Sequence, residues 1–177
     1  MEYSVSTLKT NTIQAATGTT VNVASGQVFT APGHVIQVVQ SSGGGTVSIS
    51  GGSSWHSSHS DTQVSITPQS TSSKIFVAYN IWGFLSGANK HLAWDLARSI
   101  GASETRFGSS YTYGMGSVYN DGSYDEQQLM CHVEYLDSPN TVSAITYIPK
   151  FQNTNSGTMN VGNSGRLSTI TAMEIAQ

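Results

Sequence analysis

The stretch from Tyr135 to Tyr147, YLDSPNTVSAITY, constrains the fold more than any other part of the chain, because it can be interpreted as strand, turn and strand. Apolar and polar residues alternate from Cys131 to Leu136, and the residues that follow, Asp137 to Asn140, are typical of turns. β-branched residues are then frequent from Val142 to Ile148. We therefore predict a chain reversal between two strands. The stretch carries no obvious catalytic group, which favours a β protein that presents a surface.

Further strand patterns recur at the spacing of an antiparallel sandwich. They cover His34–Gln40, a short strand with Val47 and Ile49, Thr62–Thr67, Lys74–Trp82, Leu92–Ile100, Leu129–Leu136, Thr141–Ile148, Gly157–Val161 and Leu167–Ile175. The segment with Leu92, Trp94 and Leu96 fits a period of two, and we favour strand there although Leu92 and Leu96 also fit helical spacing. The strands suffice for a jelly roll or a related sandwich, and the aromatic residues on them, Trp82 included, are expected to pack in the core or on a sheet face.

The chain is predicted to have three parts: an extended N-terminal attachment and trimerisation segment at residues 1–40, a Gly/Ser-rich connection at 41–60 and the sandwich at 61–177. The apolar residues of the first part are too sparse for an independent sheet, and the last strand carries apolar residues that also need a partner. Identical copies around a symmetry axis would supply that partner. We therefore predict a trimer interface at Leu8, Ile13, Val21, Val23, Met173 and Ile175.

Charge and cysteine content exclude several classes of protein. Lys and Arg number only seven and the net charge is −3, so the chain has no basic surface for nucleic acid or an anionic membrane. The single cysteine, Cys131, allows no internal disulfide and is expected to be a buried, inert thiol. The N-terminal residues lack the pattern of a signal peptide, so we expect synthesis and folding in a cytoplasm.

The sequence contains none of the common catalytic motifs, such as a GxSxG elbow, a P-loop or an HExxH helix. Glycoside hydrolysis usually needs two carboxylates across a cleft, and Asp and Glu number only ten in all. We therefore expect a protein that is not an enzyme and that needs no cofactor. A polysaccharide depolymerase, with a carboxylate pair assembled between chains, is the third of three functional hypotheses.

Two tracts could bind metal ions. His56, His59 and Asp61 could converge on a divalent ion, or one histidine per chain could do so in a trimer, although a solvated loop is the simpler interpretation of WHSSHSD. The acidic tract Asp121–Glu126 lacks the spacing of an EF-hand, and a turn at Asp121 and Gly122 explains it better than calcium does.

The candidates for recognition lie between Gly101 and Asp125, where tyrosines sit among glycines and serines. Exposed tyrosines give contact area at low entropic cost, and their rings stack on sugars. A surface glycan or a glycoprotein is therefore a reasonable ligand. The predicted receptor-binding residues are Tyr111, Tyr113, Tyr119, Asp121 and Tyr124.

Several segments together resemble the short tail-fibre-like structural proteins of tailed phages that infect marine bacteria, cyanobacteria in particular. They are the opening STLKTNTIQ and TVNVASGQVFTAPGHVIQVVQ, together with Ser72–Gly83, Tyr135–Tyr147 and Ser168–Gln177. Residues 101–128 fall outside the resemblance. It implies a virion appendage, a homotrimer whose C-terminal sandwich is similar to the jelly rolls of the C1q and tumour-necrosis-factor type, and no catalytic residues.

Two functions in the virion remain open from the sequence. The first is a trimeric tail fibre or fibre tip that binds a host-surface glycan or outer-membrane protein. The second is a capsid decoration or tail adaptor that binds other virion proteins through its N-terminal segment. Both place the protein on the tail or capsid surface of a particle assembled in the host cytoplasm.

Overall fold

Alternation of inward and outward side chains gives this chain a series of β-strands. In residues 31–52, 54–123 and 125–177, which a computed structural model describes, the only helix is one 3₁₀ turn at Ser60–Thr62. The strands are β1 (Val35–Gly43), β2 (Val47–Ser50), β3 (His56–Ser57), β4 (Val64–Ile66), β5 (Lys74–Ser86), β6 (Lys90–Ile100), β7 (Ser103–Arg106), β8 (Gly116–Asn120), β9 (Glu126–Asp137), β10 (Ile145–Asn153), β11 (Thr158–Val161) and β12 (Ser168–Ile175).

The strands form two antiparallel sheets. The first sheet has the order β1–β12–β5–β9, and the short pair β2–β11 continues it beside the end of β5. In the second sheet β10 and β6 are central; β3 and β4 pair with β10, whereas β7 and β8 pair with β6. No helix among the described residues has the length and apolar character needed to cross a membrane.

The order of pairing is that of a jelly roll. The first strand pairs with the last, β4 pairs with β10, β5 with β9, and β6 with the two short strands that follow it. The chain is thus one long hairpin that has been rolled into two facing sheets, the arrangement that gives a double-sheet jelly roll. The predicted all-β, antiparallel sandwich is confirmed.

The core lies between the sheets and follows the period-two pattern of the strands. Ile75, Val77, Tyr79 and Ile81 of β5 all point inward and are buried. On β6 the side chains of Leu92 and Leu96 are buried and Trp94 packs against the same core, so the strand interpretation of this segment was correct. The fully buried Tyr79 keeps its hydroxyl satisfied by donating to the carbonyl of Asp95, 3.0 Å away.

The structure corrects the predicted boundaries at residues 40 and 60. Residues 35–43 form an edge strand of the first sheet against β12, and residues 47–50 pair with β11. The glycines at 43–45 lie at the end of β1 and in the short connection to β2, where Gly45 donates its N–H to the Asp61 carboxylate at 2.9 Å and packs on His59. The predicted strand Thr141–Ile148 also begins too early: residues 141–144 belong to the turn before β10, where Ser143 N–H donates to Thr141 Oγ1.

The single thiol behaves as expected of a core residue. Cys131 is buried between the sheets, and this burial raises its pKa to about 12. At pH 8 only on the order of one molecule in ten thousand would then carry the reactive thiolate. We expect no detectable labelling by iodoacetamide in the native protein and complete labelling in urea, as measured by mass spectrometry. Rapid labelling under native conditions would show that β9 opens.

Candidate functional site

Exposed aromatic side chains cluster on the outer face of the second sheet, where β8 and the loop before it lie beside β6. Tyr111 is 70% exposed, Tyr113 45% and Tyr119 50%, and Met115 is exposed beside them. We call Tyr111, Tyr113, Met115 and Tyr119 the tyrosine face. Three of the five predicted recognition residues therefore lie together on one surface.

His91 connects two of these tyrosines. It is the register partner of Tyr119, and its ring centroid lies 4.4 Å from that of Tyr113 and 5.8 Å from that of Tyr119. Its Nδ1 is 2.9 Å from the Thr154 hydroxyl. The Tyr119 hydroxyl donates to Asn89 Oδ1 at 2.7 Å. The rings of this part of the face are thus held in place by polar contacts at their edges, while Tyr111 projects from the loop.

The loop that carries Tyr111 and Tyr113 is anchored on one buried carboxylate. Asp95 is fully buried and accepts N–H groups from Leu96, at 2.8 Å, and from Gly108, at 2.9 Å. Arg106 Nε lies 2.7 Å from its second oxygen. Burial raises the pKa of Asp95, against the opposing effect of the two amides and the Arg106 guanidinium. The carboxylate therefore joins both β7 and the start of the loop to β6.

Small residues let the loop approach β6 closely. A Cβ on Gly108 would lie 2.8 Å from the Asp95 carboxylate, and a Cβ on Gly114 would lie 2.6 Å from the carbonyl oxygen of Trp94. Gly114 also has a φ of +65°, which glycine adopts at little cost. From the other side, the ring of Trp55 lies 4.1 Å from the Arg106 guanidinium. The loop is therefore a preformed support for its exposed tyrosines.

Two shallow cavities border the tyrosine face. One, of about 380 Å³, is lined by residues 111–117. The other, of about 400 Å³, lies between Tyr111, Met115 and the stacked pair of Phe107 and Tyr135, whose ring centroids are 4.3 Å apart. Both are open and have two or three aromatic residues in their linings, which suits contact with the flat face of a sugar or of an aromatic group.

The remaining predicted recognition residues give a mixed outcome. Asp121 lies in an exposed turn after β8, where it accepts the N–H of Ser123 at 2.9 Å. Hydrogen bonds from Ser123 lower the pKa of Asp121, so the carboxylate is ionised at neutral pH. Tyr124 lies outside the described residues.

The predicted metal ligands form only a pair. His59 Nδ1 is 2.9 Å from Asp61 Oδ1, whereas His56 belongs to β3. Within the described parts of the chain no three His, Cys, Asp or Glu side chains are grouped as a metal would require. The contact of His59 and Asp61 with Gly45, in the connection between β1 and β2, gives both residues a structural role. A site made by one histidine from each of three chains stays a prediction.

A different surface, on the outer face of the first sheet, is apolar. Val38, Met173, Phe76 and Leu136 are register partners on four adjacent strands and form one continuous row. Val38 is 57% exposed and Leu136 48%. Ile175 lies in the next row, opposite Lys74. Of the predicted interface residues, Met173 and Ile175 are thus on an outward surface, while Leu8, Ile13, Val21 and Val23 lie outside the described residues.

Several residues of this site were missed by the sequence analysis. His91 and Asp95 lie in a strand that was recognised, and their alternation with Leu92, Trp94 and Leu96 places them on its outer face. Asp95 lies between Ala93 and Ala97 on that same face, and all three are buried because the loop covers the strand there. Trp55 gave no signal of its role, since it lies far from Arg106 in sequence.

The imidazole of His91, which packs against the tyrosine face, should make the stability of the fold depend on pH. Burial lowers the pKa of His91 below its usual 6.5. As the pH falls, the imidazole of the unfolded chain is protonated at about pH 6.5, whereas that of the folded chain is protonated only at lower pH. The stabilisation by neutral His91 is therefore fully present above about pH 6.5 and is lost as the pH falls. We expect the urea midpoint to drop less between pH 7.5 and 5.5 in His91→Gln than in the unchanged protein. Equal drops would contradict this.

Comparison with known proteins gives structural likeness without close relatives. No protein-family model matches the chain, and no curated protein shows significant sequence similarity to it. The capsid protein VP2 of infectious bursal disease virus (D431N mutant) has 9% identity and a TM-score of 0.43 over 89% of this chain and 40% of VP2. Eiger TNF from S. frugiperda has 10% identity and a TM-score of 0.43 over 79% of this chain and 94% of that one. The chain spans about two fifths of the length of the viral proteins.

Proposed function

We propose that this protein is a structural component of a phage virion, a self-associating fibre or fibre tip that binds the host surface through its tyrosine face. The observation that carries the proposal is the joint exposure of Tyr111 and Tyr113, on a loop fixed by the buried Asp95, and of Tyr119 on the adjoining strand β8. Rigid aromatic side chains on a preformed support are suited to recognition, because little conformational freedom is lost on binding. The resemblance to phage tail-fibre-like proteins supplies the virion context.

Self-association is supported by the apolar row on the first sheet. Charged or polar residues flank the row, with Lys74 on one side and Glu134 on the other. A second copy of the same face can cover the row and bring these opposite charges together, as in an interface between identical subunits. Several copies would then present several tyrosine faces, and many weak contacts would add to a firm attachment.

The test of host binding uses the full chain with a fluorescent label and a panel of marine bacteria that includes cyanobacteria. We expect binding to a subset of strains by flow cytometry, and a loss of at least tenfold in the triple variant Tyr111→Ser, Tyr113→Ser, Tyr119→Ser. Val142→Ser is the matched control, since Val142 is also exposed but lies outside the face. Unchanged binding of the triple variant, or binding to no strain, would refute the receptor-binding role.

A capsid decoration or tail adaptor is the second candidate. The observation that favours it is the exposed apolar row, because another virion protein, in place of a second copy, would cover Val38 and Leu136. Gold-labelled antibody on intact particles separates the two. Label at the distal end of a tail fibre supports the first function, whereas label over the capsid or at the tail base supports the second.

A further inference from the structure

A second recessed site lies on the first sheet, at the opposite end of β5 from the apolar row. Phe76 and Trp82 are six residues apart on this strand, which corresponds to about 20 Å. Two cavities of about 290 and 310 Å³ adjoin there, and Trp82, Gln128 and Arg166 line both. We call this pair of cavities the Trp82 cleft.

Trp82 is the buried wall of the cleft and carries an unused hydrogen-bond donor. The residue is 7% exposed, and its ring stacks on Phe84, with centroids 5.5 Å apart and planes at 8°. Its Nε1 is buried and has no acceptor among the described residues. Buried indole N–H groups are normally paired, because water no longer compensates them. A ligand oxygen would satisfy this donor once the side chains that cover Nε1 move aside on binding.

Arg166 gives the cleft its charge. All three arginines of the chain are in the described part. Arg98 pairs with Asp137 at 2.8 Å and Arg106 with Asp95 at 2.7 Å, whereas no described carboxylate lies within 4.0 Å of Arg166. The guanidinium of Arg166 instead donates to the neutral amide of Gln128 at 2.9 Å and lies 5.4 Å from the Trp82 ring. It is an uncompensated cation beside an aromatic wall.

The chain segment that carries Arg166 is held in place by backbone contacts. Gly162 N–H donates to the Trp82 carbonyl at 2.8 Å, and Arg166 N–H donates to the Asn163 carbonyl at 2.9 Å. Asn163 Oδ1 accepts the N–H of Gly165 at 2.7 Å, which closes a tight turn. The turn ties the guanidinium to the same strand as the indole. The side-chain amides of Asn160 and Asn163 complete the rim.

We propose that the Trp82 cleft binds an anionic sugar, with its carboxylate or sulfate on Arg166, a ring oxygen or hydroxyl on Trp82 Nε1, and its other hydroxyls on the rim amides. One cation, one aromatic wall and several amide groups match a polyhydroxylated ligand that carries a single negative charge. An acidic peptide could also use the cation and pair its backbone amides with the rim, so the test below includes one. The cleft is on the sheet opposite the tyrosine face, so the site does not depend on the proposed attachment function.

The test is calorimetric titration of the full chain with three tetrasaccharides of the same linkage: a galacturonic acid tetramer, its carboxyl-reduced neutral form, and that neutral form carrying sulfate. We expect the acid or the sulfated tetramer to bind at least tenfold more tightly than the neutral one, and the stronger of the two identifies the anionic group. Arg166→Gln should weaken this binding about tenfold or more, because a charge-assisted hydrogen bond is lost. Trp82→Phe, which removes the N–H and keeps an aromatic ring, should weaken it several-fold.

Lys90→Gln is the matched control, since it removes one positive charge from β6 of the other sheet, and we expect it to bind as the unchanged protein does. Melting curves establish that each variant is folded. The proposal is overturned if no tetramer binds, if the neutral tetramer binds as tightly as the charged ones, or if Arg166→Gln binds normally. Equal binding of a glutamate hexapeptide would also overturn it, in favour of protein recognition.

Discussion

Replacing Asp95 by Ala should reduce the free energy of unfolding by about 3 kcal/mol, the usual result of removing one partner of a buried ion pair. The substitution leaves Arg106 without its carboxylate and the N–H groups of Leu96 and Gly108 without their acceptor. We further expect faster hydrogen exchange in residues 107–115, because the loop loses its anchor. Urea denaturation and exchange mass spectrometry measure the two effects.

Two further variants make this prediction specific. Asp95→Asn keeps an acceptor and has nearly the same shape, and since burial already raises the pKa of Asp95, we expect a smaller loss than for Asp95→Ala. Asp121→Ala removes an exposed carboxylate of the same tyrosine-rich region and should leave the unfolding midpoint unchanged. If Asp95→Ala were as stable as the unchanged protein, the carboxylate would not be the anchor of the loop.

The second large effect is expected at the apolar row of the first sheet. Val38→Glu combined with Leu136→Glu should convert the self-associated protein to a monomer at micromolar concentration. Each chain would otherwise bury two unpaired carboxylates in its interface, at a cost of several kcal/mol. Because both side chains are about half exposed in the single chain, the sandwich itself should stay folded. Sedimentation velocity gives the mass, and circular dichroism reports on the fold.

Val142→Glu is the control, since Val142 is equally exposed but lies in the turn before β10. It should sediment as the unchanged protein does. A double variant with unchanged mass, or an unchanged protein that is monomeric, would exclude this row as the interface. Deleting residues 170–177 is a poorer test, because β12 lies between β1 and β5 and contributes Ile170 and Ala172 to the core.

The fold could be predicted where apolar residues alternate over a long strand. The segments around Ile75–Ile81 and Cys131–Tyr135 have this pattern, and both strands were recognised. The end of β10 was missed because Pro149 and Lys150 are unusual in the middle of a sheet. Lys150 is buried there since Glu104, at 2.8 Å, and Ser57, at 2.9 Å, supply partners from distant parts of the chain. Local sequence cannot contain that information.

The candidate sites, like the fold, could be predicted from the sequence only where local residues determine them. The exposure of Tyr111 and Tyr113 follows from their glycine and serine neighbours, and the sequence analysis anticipated it; their role in binding stays a prediction. Trp82, in contrast, was expected to be an ordinary packed residue, and it does pack on Phe84. What sets it apart is Arg166, which is distant in sequence and reaches the ring only because β11 and the turn after it return beside β5.

The pairing of β1 with β12 also has a consequence for biosynthesis. Val35 is the register partner of Ile175, so the hydrogen bonds of β1 to β12 can form only after β12 has been synthesised. The ribosome must therefore release the chain beyond residue 175 before the sandwich can close, and contacts this distant in sequence form slowly. Until that moment both edges of β1 are unpaired within the described part of the chain, and a strand with unpaired edges is exposed to pairing with a neighbouring nascent chain.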